Sequence, residues 1–180
     1  MIDETRLLEL AITNLRKVLE FNPYKSYPGI NNREEFKQLI ARDPAFGTLG
    51  LDDERYIIAR VDGLIKKDKF NQRIPQAWID YQGIGFEVRS CYQIGDSKRI
   101  QADYDMSLAL KSYNILPVML VFCNTSLRSP LVRLSKSWEL YQGMSSFNLV
   151  ESITGFNLYN FLENNSQILK AEIDNILSNF

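Results

Sequence analysis

The chain has 180 residues, of which 45% are apolar and 24% charged, and its net charge is −1. This is the profile of one globular domain spanning 1–180, and it argues against a uniformly basic nucleic-acid binder, so any such partner needs a local cationic patch on an otherwise acidic body. No stretch approaches the ~18 consecutive apolar residues of a membrane helix, and the acidic start "MIDETRLLEL" lacks the features of a secretory signal; a cytoplasmic protein with no membrane partner is expected.

Residues 2–21 read as a helix, with Leu8, Ile12, Leu15 and Leu19 at spacings of three and four, and Ala11 and Val18 widening the stripe. Asn22-Pro23 ends it. "NPYKSYPGINN" reads as loop and "REEFKQLIARD" as a shorter helix stopped before Pro44. "PAFGTLGLDDE" is loop again. The period then changes to two: "RYIIARVDGLI" sets Ile57, Ala59, Val61 and Ile65 on one strand face, with Arg60 and Asp62 on the other. "KKDKFNQR" is a charged loop. "PQAWIDYQ" and "GIGFEVRSC" read as two more strands, with a hairpin turn at Gln82-Gly83. In "SKRIQADYDMSLALKSYN", Ile100, Tyr104, Leu108 and Ala109 form a helical stripe, and Asp96 or Ser97 is placed to cap its start. "LPVMLVFC" is a continuous apolar run, expected to be a strand covered on both faces. The remainder, "PLVRLSKSWELYQ", "GFNLYNFLE" and "SQILKAEIDNIL", reads as helices. The expected fold is therefore α/β, a sheet flanked by helices, with a core over about 1–123 and a helical extension over about 124–180.

The chain has no histidine, which excludes Ser/His/Asp triads, HExxH zinc sites and His-based general bases. Phosphate-binding fingerprints of the GxGxxG and GxxxxGK[ST] kinds are also missing. Any metal chemistry has to use carboxylate and backbone oxygens, which favour Mg²⁺, Mn²⁺ or Ca²⁺. Cys91 and Cys123 are too few for a disulfide framework or a zinc cluster, and their apolar surroundings read as buried free thiols.

Two acids stand out. Asp62 lies on the polar face of the first strand and Glu87 on that of the third, about 10 Å apart or less if the strands share a sheet, close enough to bind one cation. Arg89 follows on the face of Glu87. The competing reading makes Asp62 a solvent-facing acid, and Glu87 with Arg89 a cross-strand charge cluster that includes Arg60 or Asp80. Asp103 and Asp105 read as a solvated helix face.

The order of elements, with "RVDGLI" and "FEVRS" as acidic motifs, resembles the PD-(D/E)XK nuclease superfamily, the fold of most type II restriction endonucleases. The resemblance covers about residues 1–123. It implies a restriction-endonuclease-like core of order α-β-β-β-α-β. It also implies Mg²⁺, with Mn²⁺ as substitute, held by Asp62 and Glu87, and hydrolysis of double-stranded DNA by a homodimer. Arg89 stands where the family usually has lysine. A guanidinium keeps its proton but still orients a water or stabilises phosphate charge. Lys98, on the following helix, is the candidate for a migrated lysine, and Gln101 resembles polar residues near the scissile phosphate. The alternative is a degenerate member of the fold that binds DNA or assembles without cutting.

Lys98 and Arg99 at the helix start, and Arg128, Arg133 and Lys136 in "TSLRSPLVRLSKSW", are the candidate phosphate contacts. An amphipathic helix with a charged face explains the second group about as well.

Overall fold

The computed structural model describes residues 2–19, 61–92 and 97–178. The expected loops and helix over 20–54, and the stretch 55–60 of the first expected strand, lie outside the described residues. Two compact units emerge: among the described residues one takes α1 (Glu4–Leu19), α5 (Leu158–Asn164) and α6 (Ser166–Ser178), the other a four-stranded sheet with three α-helices. Among the described residues no helix is long and apolar enough to cross a membrane.

In the helical unit, Asp3 begins α1 by accepting the Arg6 backbone N–H on its carboxylate at 3.1 Å, satisfying one of the orphan donors of a helix start. Leu8, Ala11, Ile12 and Leu15 are half-buried, as their spacing requires. α1 packs on α6, where Arg16 pairs with Glu172. Asn157 caps α5 through the Asn160 N–H at 2.8 Å.

The sheet unit runs β1 (Gly63–Lys66), β2 (Gly83–Arg89), α2 (Ser97–Ser112), β3 (Ile115–Val121), α3 (Arg128–Leu134), β4 (Glu139–Gln142) and α4 (Met144–Thr154). The strand order is β1-β2-β3-β4, with β1 antiparallel to β2 and the other pairs parallel. The sheet is therefore mixed and flanked by helices. β3 is buried along its whole length, and its alternate residues serve two cores. Ile115, Met119 and Val121 meet Ile100, Met106 and Leu110 of α2 and Leu131 and Leu134 of α3. Leu116, Val118 and Leu120 meet Ile84 and Phe86 of β2, Trp78, and Leu149 and Ile153 of α4. Each such side chain stabilises the fold by about 1.5–3 kcal/mol relative to exposure. Pro117 sits in this strand without breaking a ladder on the β4 side, because β4 pairing starts only at Val118 opposite Glu139.

Four expected elements turn out differently. "PQAWIDYQ" is a 3₁₀ turn at Gln76–Trp78 followed by further turns, not a strand. Trp78 anchors this connection in the core. Gly83 is consequently not a hairpin residue but the first residue of β2. The segment 130–142 is not one helix: α3 stops at Leu134 and β4 follows, so the fourth strand lies in the presumed helical extension. A four-residue, half-buried strand offers too short an alternation to show in sequence. On α2, Ile100 and Ala109 of the expected stripe are buried, Leu108 is exposed, and the buried face also takes in Asp103, Met106, Ser107 and Leu110. The helix comes close because residue 85 is glycine: a Cβ there would stand 2.9 Å from Leu110 Cδ2.

Candidate functional site

Glu87 and Arg89 share with Gly85 the face of β2 that lies under α2. Glu87 is only 6% exposed, and a buried carboxylate requires a partner. Arg89 supplies it through Nη2, which contacts Glu87 Oε1 and also lies 3.5 Å from Asp103 Oδ1 on α2. The guanidinium thus stands between two carboxylates, and its Nε is enclosed without a hydrogen-bond partner. Asp103, expected on a solvated face, is buried. Its Oδ2 accepts the Tyr92 hydroxyl at 2.7 Å, and its backbone carbonyl accepts the Trp138 indole N–H at 2.9 Å. Arg89 of β2 and Tyr92 just past it therefore hold the Asp103 side chain, and Trp138 in the turn after α3 holds its backbone carbonyl.

Asp62 approaches from β1. Its backbone N–H donates to the Phe86 carbonyl at 3.0 Å, so Asp62 and Gly63 both face Phe86 and the ladder slips by one residue there. Val61 and Asp62 form a bend, and the simple alternation expected through them breaks: Val61 and Leu64 pack toward one core and Ile65 toward the other. The Asp62 carboxylate then accepts the Val88 backbone N–H at 2.7 Å through Oδ2, taking the place of a strand carbonyl. β1 and β2 are direct neighbours, so the two acids come from adjacent strands rather than from the outer strands of a meander.

The structure brings together Glu87 and Arg89 and adds Asp103 and Tyr92, while the exposed Asp62 contacts β2 through the Val88 N–H. Gln101 points elsewhere. It is two residues from Asp103, hence almost opposite on the helix. There its amide nitrogen donates to Asp105 Oδ1 at 2.6 Å and its oxygen accepts from Arg133 of α3. The Arg133 guanidinium also lies 5.8 Å from the centre of the Tyr104 ring. Arg128 begins α3 and Lys136 lies two residues past its end; both are exposed. Lys98 and Arg99 fall in the first turn of α2, and their side chains lie outside the described set.

The cysteines are not free thiols. Cys91 and Cys123 each lie two residues past the Arg89–Val121 pair, at the ends of neighbouring parallel strands, and form a disulfide with Cα atoms 5.0 Å apart. Sequence reading missed this because the residues are 32 apart in sequence and only the strand register joins them.

No family model, curated protein or solved structure matches the chain.

Proposed function

We propose that the protein is a divalent-metal-dependent endonuclease acting on double-stranded DNA, a cytoplasmic enzyme of the type II restriction kind working as a homodimer. One observation carries the reading: Glu87 and Arg89 stand in contact on one face of β2, and the Asp62 carboxylate is bound to the Val88 N–H of the same strand. The donor chemistry fits Mg²⁺. That ion takes one or two carboxylates from a protein and completes its shell with water and phosphate oxygens, and two carboxylates are offered here. When bound, the metal supplies a more acidic water and relief of phosphoryl charge.

The chain's own residues do the rest. Asp62 and Glu87 would hold the cation, and Asp62 is itself held by the Val88 N–H. Arg89, fixed by Asp103, directs positive charge to the phosphate being cut, where a preformed dipole or charge is most effective. Arg128 and Lys136 contact the DNA backbone, joined by Lys98 and Arg99; Arg133 serves there while bound to Gln101. The expected result is Mg²⁺- or Mn²⁺-dependent plasmid cleavage, abolished by Asp62→Ala and by Glu87→Ala with circular dichroism unchanged. Cleavage that survives both changes removes these acids from the site.

A second reading has its own observation. Arg89 is paired to both Glu87 and Asp103, so its charge is already engaged, as it would be in a DNA-binding or assembly protein that no longer cuts. DNA binding without cleavage, and cleavage gained in Arg89→Lys, favour this reading.

A further inference from the structure

The two sulfurs of the Cys91–Cys123 disulfide have unlike surroundings. Cys123 Sγ has Thr125 Oγ1 at 2.7 Å and receives the Thr125 backbone N–H at 3.3 Å. Cys91 Sγ has Thr125 Oγ1 at the longer distance of 3.4 Å. Donors aimed at a sulfur stabilise its thiolate, and the more stable thiolate is the better leaving group in exchange. Both cysteines are partly exposed.

We propose that Cys91 and Cys123 form a reversible thiol–disulfide exchange site for low-molecular-weight thiols, attacked at Cys91 with Cys123 as the leaving group. A thiolate RS⁻ bonds to Cys91 Sγ as the Cys91–Cys123 bond breaks. The electron pair of that bond passes to Cys123 Sγ, where the Thr125 N–H and hydroxyl receive it. A second RS⁻ attacks the outer sulfur of the mixed disulfide, releasing RSSR and the Cys91 thiolate. Two thiolates are oxidised, the protein disulfide gains two electrons, and solvent protonates the freed thiolates.

The exchange has a defined structural reach. Tyr92, next to Cys91, is tied to the segment after Cys123: its backbone N–H donates to Ser126 Oγ at 2.9 Å, and its carbonyl accepts the Leu127 N–H at 2.8 Å. Its hydroxyl holds Asp103, the partner of Arg89. Opening the disulfide therefore loosens this tie and the Arg89 cluster while leaving the two sheet cores packed.

The test uses the full chain in glutathione buffers of graded ratio, quenched with an alkylating reagent and read by intact mass and peptide mapping. The expected result is a reversible transition with the transient glutathione adduct on Cys91. Thr125→Val should slow reduction by about threefold or more, while Thr125→Ser stays near wild type. Hydrogen exchange in the reduced protein should quicken at the Tyr92 and Leu127 amides and stay unchanged across Val118–Val121. An adduct on Cys123, a Thr125→Val protein reduced as fast as wild type, or loss of protection throughout β3 on reduction would each overturn the proposal, the last by marking a purely structural crosslink. None of these readouts depends on nuclease activity.

Discussion

Asp103 shows how much one side chain depends on what surrounds it. Its carboxylate is buried between the Arg89 guanidinium and the Tyr92 hydroxyl. Removing one partner of a buried charged pair costs about 3–5 kcal/mol, and the lower end applies because the Arg89 side chain keeps 22% exposure. Loss of the single hydroxyl donor to this charged group costs about 1.5–3 kcal/mol. Asp103→Ala, which removes both interactions, should therefore destabilise the protein more than Tyr92→Phe in urea unfolding. The two changes together should cost less than their sum, since the hydroxyl has nothing left to hold once the carboxylate is gone. Strict additivity would show that Tyr92 and Asp103 do not act as a unit.

Elements meet where the chain turns sharply, and Gly143 is the clearest such junction. It joins β4 to α4 at φ 58° and ψ −130°, a backbone conformation that residues with a Cβ avoid. Its N–H donates to the Val121 carbonyl at 2.8 Å, and the buried Ser146 hydroxyl reaches the same carbonyl at 3.1 Å. A Cβ at 143 would also run into the Asn124 side chain. Gly143→Ala should cost about 1–3 kcal/mol from backbone strain alone, measured by thermal melting. Adding Asn124→Gly should recover only the steric part. Full recovery would place the whole cost in the clash and none in the backbone. Tyr141, on β4 just before this junction, has its hydroxyl pushed up from 10.0 by burial and then by the charge of Glu139.

On the scale of the molecule the net charge is −1, so long-range attraction to a polyanion is weak and any DNA affinity rests on a local set of cations. Each phosphate neutralised contributes about −0.9 to the slope of log K against log salt. Arg128→Ala and Lys136→Ala should each flatten that slope by about one unit in fluorescence anisotropy titrations and weaken all sequences alike. Arg133→Ala should change it less, because that guanidinium is already engaged by Gln101 and the Tyr104 ring. A slope indifferent to Arg128 and Lys136 removes α3 from the DNA-binding surface.

The sequence by itself determined the elements whose signal is local. α1 followed from its spacing of leucines, β3 from an apolar run too long for a half-exposed strand, and β2 from "GIGFEVR" with its acid and base two apart. Asp62 and Glu87 were legible as acids of two strand segments, but strict alternation did not foresee the extra residue at Asp62 that breaks the register. Only the tertiary structure decided which strands are neighbours. The supposed middle strand is a turn anchored by Trp78, so β1 pairs with β2 directly and Asp62 spends its carboxylate on a β2 backbone N–H. It likewise decided that Asp103 is buried, that Gln101 faces α3, and that the two cysteines meet. The physical reason is common to all of these. A side-chain period records which way a residue points relative to its own element, whereas burial, register and pairing depend on a partner far along the chain.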